Sequence, residues 1–179
     1  GKCVPDTPNN TFICSEKEFG DFILKLQYKF LEDGNSGVQF RSAARPEGDH
    51  ERVYGYQYEM RPDGESVGRI YDEGRRGHKF GVIWLDAYTP QERLDAAQAG
   101  NRVGDWNDVE IQCVGPSIKT WLNGNLVVDI FDSFSMKGFF GLQIHAGKSG
   151  SVVWRNIRVK DLGESKWEPF FVKGDDGKY

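Results

Sequence analysis

The sequence predicts an all-β protein, an antiparallel β-sandwich with one short helix. Three observations carry this. Short apolar/polar alternations of period two recur along the chain, and they are separated by turn residues, with 22 glycines among 179 residues. Only one stretch has the punctuation of a helix. A chain of this length can bury one full core and is short for two, and many short strands with frequent turns are how sandwiches read in sequence.

Taken in order, residues 1–11 are rich in Pro, Asn and Asp and read as irregular. From Phe12 the chain becomes strand-like. Between Phe19 and Phe30, Phe22, Leu24 and Leu26 alternate with Ile23, Lys25 and Gln27, so one face is apolar. Asp33 to Gly37 is a turn, Val38 to Arg41 a strand, residues 43–52 a polar loop, and Gly55 to Glu59 a strand. A turn at Arg61-Pro62-Asp63-Gly64 leads to a short strand from Ser66 to Tyr71, then to a charged loop over 72–79. Thr89-Pro90-Gln91-Glu92 starts the helix, with Thr89 as cap, Pro90 at the first helical position, and Gly100 to close.

The most regular strand runs from Trp106 to Val114, with Asn107, Val109, Ile111 and Cys113 on one side. After Gly115-Pro116, Ile118 to Leu122 and Leu126 to Ile130 flank Asn123-Gly124, a hairpin signal that requires positive φ at both turn residues. Gly141 to His145, a turn at Lys148-Ser149-Gly150, and Val152 to Lys160 bring the total to roughly ten strands, with no internal repeat. The expected domain is 1–162. Residues 163–179 form a tail whose Trp167, Phe170 and Phe171 are expected to pack on the sandwich.

A net charge of −4 and a pI near 5.4 argue against a nucleic-acid partner. No stretch approaches the roughly 20 apolar residues of a membrane helix. No leader is legible, and the start at Gly1 is compatible with a trimmed one. Zinc-spaced cysteines, a His-Glu-x-x-His pair, a serine elbow, a phosphate loop and a dinucleotide fingerprint are all missing from the sequence. Cys113 reads as a small core residue. Cys3 and Cys14 could bridge in an oxidising compartment, a pairing that spacing leaves open.

Three strands place chemically capable side chains on one face: Gln39 with Arg41, Gln57 with Glu59, and Gln143 with His145, each opposed by apolar residues. An ordinary solvent face would carry Lys, Glu, Thr and Ser. Amides beside an acid, an imidazole and a guanidinium point to a lined, hydrogen-bonding cleft.

The run Trp106-Asn107, Ile118, Trp121-Leu122-Asn123-Gly124, Gly141-Leu142-Gln143-Ile144-His145 and Trp154-Arg155-Asn156-Ile157 resembles the DUF1080 family, the 3-keto-disaccharide hydrolase domain. Asn35 to Arg41, Gly55 to Glu59 and Ile70 to Gly77 are similar to the same family's earlier motifs, and the resemblance spans residues 12–162 in order. It implies a concanavalin/laminin-G-like jelly roll and hydrolysis of glycosides already oxidised at C3. The ketone acidifies the C2 hydrogen, so elimination of the aglycone followed by water addition is the expected route. That needs a base, an enolate stabiliser and an acid. Glu59 or His145 would be the base, Arg41 would face the enolate, and Asp72 or Glu73 would be the acid. Gln39, Gln57 and Gln143 would hold sugar hydroxyls. Tyr71 and Trp84 are stacking candidates, with core packing as their other reading, and Arg75 and Arg76 with Asp72 and Glu73 would form a sugar-binding rim or merely a solvated loop. Glu59 has the alternative of a structural ion pair with Arg41 or a loop arginine, and His50 and His78 read as surface.

No cofactor is called for, although a divalent ion among Glu59, Asp72, Glu73 and His145 could stabilise an enolate. The expected partner is an oxidised carbohydrate substrate, supplied by a separate C3-oxidising dehydrogenase, in a periplasmic or extracytoplasmic setting. The competing class is a non-catalytic carbohydrate-binding module, because the same sandwich carries lectins. A third is a structural or partner-binding domain in a larger extracytoplasmic assembly.

Overall fold

The computed structural model describes residues 9–76, 84–147 and 151–164. Among them are ten strands: β1 (Thr11–Cys14), β2 (Asp21–Phe30), β3 (Ser36–Glu47), β4 (His50–Met60), β5 (Ile70–Glu73), β6 (Asn107–Val114), β7 (Ser117–Leu122), β8 (Asn125–Phe131), β9 (Phe139–Ile144) and β10 (Val152–Gly163), with one helix at Gln91–Gly100. They form two five-stranded antiparallel sheets, in the orders β1-β9-β3-β4-β5 and β10-β2-β6-β7-β8. The fold is the antiparallel jelly-roll sandwich that the sequence implies.

Period-two alternation builds the interior. Phe22, Leu24 and Leu26 of β2, Val38 and Phe40 of β3, Tyr56 and Tyr58 of β4, and Val109, Ile111 and Cys113 of β6 join one buried cluster between the sheets. Phe40 stacks on Tyr56, and Phe22 meets Phe40 edge-on. Burial of such side chains contributes about 1.5–3 kcal/mol each, which is why these strands hold their register. Asn123 and Gly124 both have positive φ, 49° and 85°, as the tight β7–β8 hairpin requires. The helix ends against the sandwich through Asn101, which accepts from the Tyr28 hydroxyl at 3.0 Å and donates to the carbonyls of Arg61 and Pro62.

Several local expectations are corrected. Residues 43–52 are not a loop: β3 and β4 continue as a hairpin pairing Ala44 with Val53 and Glu47 with His50. The short strand begins at Ile70 rather than Ser66 and extends through Asp72 and Glu73. The helix starts one residue late, with Pro90 at the cap and no side-chain cap bond from Thr89. Gly100 is its last helical residue. The strand-like stretch expected from Phe12 is β1, which starts at Thr11 and pairs with β9. Cys14 carries a free thiol; Cys3, His78, the 148–150 turn and the aromatic residues of the 163–179 tail lie outside the described residues.

The largest correction concerns Arg41. Between Phe40 and Ala43 the register shifts by a β-bulge, and Arg41 takes φ 45°, the left-handed region. Gly138 makes the bulge possible, since a Cβ there would sit 2.3 Å from the Ser42 carbonyl oxygen. The extra residue breaks strand parity, so Arg41 turns away from Gln39 and into the space between the sheets.

Candidate active site on the outer face of one sheet

The face of the first sheet that points away from the core carries the amide-rich residues. Gln39 pairs across to Gly141 of β9 and Gln57 of β4, and Gln57 across to Tyr71 of β5, so one row spans four strands. Gly37 stands opposite Glu59, and the space a side chain would fill there is taken by the Gln57 amide, 2.6 Å from where a Cβ would lie. The glycine therefore lets Gln57 reach along its own strand to Glu59.

The result is a chain of amides ending at a carboxylate. The Ser42 hydroxyl donates to Gln39 Oε1 (2.7 Å), and Gln39 Nε2 donates to Gln57 Oε1 (2.8 Å). Gln57 Nε2 donates to Glu59 Oε2 at 2.9 Å and lies 3.5 Å from Gln143 Oε1. Asn35 Nδ2 donates to the other Glu59 oxygen. Glu59 is only 6% exposed. Burial raises its pKa above the usual carboxylate range, a rise opposed by the Gln57 and Asn35 hydrogen bonds and by the charges of His145 and Arg61. It is a carboxylate held in place by neutral donors and unusually willing to take a proton.

His145 sits one residue past the end of β9 on the same face. Its Nδ1 is 2.9 Å from the Ala146 carbonyl, so that nitrogen carries a proton and donates, and Nε2 is the one that can gain or lose a proton. Glu73, buried, accepts from Arg52 on the opposite wall. Tyr71 and Trp84 meet edge-to-face with centroids 5.6 Å apart, and the Arg69 guanidinium lies over the indole. Apart from Arg69, these residues line a cavity of about 260 Å³ that is open to solvent, completed by Asn10, Asn35 and Gln143.

Of the residues singled out in the sequence, Glu59, His145, Glu73, Gln57, Gln143, Tyr71 and Trp84 come together here. Gln39 does not line the cavity; it is wholly buried beneath it and orients Gln57. The amides are thus committed chiefly to one another and to Glu59, a departure from the hydroxyl-holding role expected of them. Asn35, Arg52 and Asn10 were missed, because a turn, a supposed loop and an irregular terminus gave them no face.

Arg41 is elsewhere. Its guanidinium donates to the carbonyls of Gly20 (2.9 Å) and Gly115 (2.7 Å) and pairs with Asp21 at 3.0 Å, tying the two sheets together. Asp72 also points away, because neighbours on a strand face opposite sides: Glu73 enters the cavity while Asp72 joins Arg75, Arg76 and, through Arg76, Asp132. Arg75 packs on Tyr56 and Phe134. Asp72, Arg75 and Arg76 form no rim to the Glu59 cavity. The four residues considered for a divalent ion therefore do not converge, and among the described residues no group of three or more His, Cys, Asp or Glu is placed to hold one. A larger groove of about 510 Å³ crosses the other sheet's outer face beside Trp121. Glu110 there is paired with Lys25 at 2.8 Å, and Asp108, which accepts from the Gln27 amide at 2.7 Å, is exposed, so neither carboxylate is buried as Glu59 is.

With this geometry in place, comparison with known proteins is decisive for the family. The sequence profile of the 3-keto-α-glucoside-1,2-lyase-like domain matches residues 1–160. The chain belongs to that family. Its members are carbohydrate-active domains, and this chain is one of them. Among solved structures it is similar to the carbohydrate-binding module CBM66 from Bacillus subtilis, with a TM-score of 0.58 and 16% identity over 87% of this chain and 84% of that one. Two Parabacteroides distasonis ATCC 8503 proteins that carry glycosyl-hydrolase names are also similar. One has a TM-score of 0.56 at 17% identity, covering 84% of this chain and 76% of its own. The other has 0.53 at 20% identity, covering 86% and 84%. At these identities the likeness establishes the sandwich and nothing finer. No curated protein sequence matches the chain. No helix among the described residues is long and apolar enough to cross a membrane.

Proposed function

We propose that this domain cleaves 3-keto glycosides by elimination followed by hydration. The observation that carries the proposal is Glu59: a buried carboxylate of raised proton affinity, held by two neutral amides, in a cavity it shares with a histidine whose Nδ1 donates to a backbone carbonyl. Glu59 takes the C2 proton, and the electron pair moves onto the C3 oxygen as an enolate. The Arg52 guanidinium on the cavity wall, held there by Glu73, takes the stabilising role once expected of Arg41. The enolate collapses, the C1–O bond breaks, and protonated His145 gives its Nε2 proton to the leaving oxygen. The neutral ring then removes a proton from water as the oxygen adds to C1 of the enone, and Glu59 returns its proton to C2. Both residues end as they began, and the net change is hydrolysis. Oxidation at C3 by a separate dehydrogenase, and an extracytoplasmic setting, belong to the same proposal.

The second reading is a non-catalytic carbohydrate-binding module, favoured by the Tyr71–Trp84 pair beside the amides, which suits a sugar face. The deciding experiment incubates the protein with a 3-keto glucoside and with its unoxidised parent and follows aglycone release. Release from the ketone alone supports the enzyme; saturable binding of the parent with no release from either supports the module.

A further inference from the structure

A second hollow, of about 460 Å³, lies on the same outer face and shares Asn10 with the Glu59 cavity. Gly141 of β9 pairs with Cys14, and its missing side chain leaves Gln39, Cys14 and Phe12 at ordinary contact distance around a hypothetical Cβ. Asn9, Asn10, Thr11, His50 and Glu51 line the hollow beside an apolar set. Phe12 of β1, Val53 with its cross-strand partner Ala44, and Phe139 of β9 line it. None of these apolar residues belongs to the interior cluster between the sheets, whereas their strand neighbours Phe40, Phe140 and Leu142 do or pack against it. Val53 is buried by the folded sheet itself, whereas Phe12 and Phe139 stay half-buried in the hollow. The Cys14 thiol at the edge has its pKa raised by burial and then by Glu51, so it adds no charge at neutral pH.

Resting on the cleavage reading above, we infer that this hollow is the leaving-group subsite and that it selects glycosides with an apolar, aromatic aglycone. A cavity of about 260 Å³ is small against the roughly 300–1,000 Å³ of ordinary ligand pockets. It takes the oxidised ring, and the group attached at C1 must leave through a neighbouring space. Among the described residues this hollow shares a lining residue, Asn10, with the cavity, and an aryl ring packed on Phe12 and Phe139 gains both burial and ring contacts.

The test compares benzyl and methyl 3-keto glucosides, whose leaving alcohols have similar acidity, so that a difference reports binding. The wild type is expected to show a KM about tenfold lower for the benzyl compound, the size of a contact near 1.4 kcal/mol. Phe139→Ala should erase that preference and leave the methyl KM unchanged. Phe12→Leu, on an edge strand, serves should the first variant fold poorly. Equal KM values in the wild type, or equal changes for both compounds, overturn the inference. A readout independent of turnover is alkylation of Cys14 by iodoacetamide in a Cys3→Ser background, which benzyl alcohol should slow. If neither ketone is cleaved, the proposed function fails; if both are cleaved without benzyl preference, or benzyl alcohol leaves Cys14 unprotected, only the subsite fails.

Discussion

Two clusters of acids and guanidiniums, built from the same residue types, differ in what holds their carboxylates. At the sandwich interior, Asp21 faces Arg41, and at one end Asp72 faces Arg75 and Arg76. There each buried carboxylate meets a guanidinium, and the charges are matched and spent on structure. On the outer face Glu73 still meets the Arg52 guanidinium, but Glu59 meets two amides in a cavity it shares with an imidazole. A guanidinium beside an acid stabilises the anion and takes away its appetite for protons; amides position it without neutralising it. Burial alone does not mark an active carboxylate. What it is buried against does.

The contrast predicts effects of decreasing size. Glu59→Gln should lower kcat on a 3-keto glucoside by about a thousandfold while the far-ultraviolet circular dichroism is retained. A variant that keeps near-native turnover breaks the comparison. Arg41→Met should leave Asp21 buried without its cation and cost about 3–5 kcal/mol in chemical denaturation. The molecules still folded should keep their KM and kcat; loss of catalysis without loss of stability would put Arg41 back at the chemistry. Arg52→Leu should reduce kcat by about a hundredfold with partial recovery in Arg52→Lys, and a change confined to melting temperature would make the Arg52–Glu73 pair structural.

The smallest effects are in pH dependence. With Glu59 as base, kcat/KM should rise with pH through a value above the ordinary carboxylate range, where burial has moved it. Asn35→Ala removes a hydrogen bond that lowers that pKa, so the limb should move to higher pH. Stability runs the other way. A raised folded-state pKa means the folded protein binds the proton more tightly, so the contribution is complete below the ordinary glutamate pKa and is lost as pH rises through the folded value. Glu59→Gln should accordingly melt no lower than the wild type at neutral pH, and a lower melting temperature would show that the carboxylate is a net stabiliser.

Much of the sandwich was legible because its causes are local. Phe22, Leu24 and Leu26 alternate within one strand, and Asn123-Gly124 specifies its hairpin by backbone preference alone. Glu59 and Gln57, or Gln143 and His145, could be assigned a common face for the same reason. Arg41 could not, because a bulge inserts one residue without a sequence mark, and here its room comes from Gly138, just before β9 and far along the chain. Asp72 and Glu73 were inseparable while 72–79 was read as a loop; once β5 includes both, parity sends only Glu73 to the cavity. Asn35 and Arg52 arrive from segments whose own patterns carry no face at all.

By itself the sequence determined the all-β class, the core-facing sides of most strands, and the presence of an acid, an imidazole and amides on polar faces. These follow from period-two alternation and turn chemistry, which act within a few residues. Only the tertiary structure decided which charges meet. Pairing across β3, β4, β5 and β9 joins residues distant in the chain, and a single bulged residue decides whether a guanidinium reaches the cleft or the core.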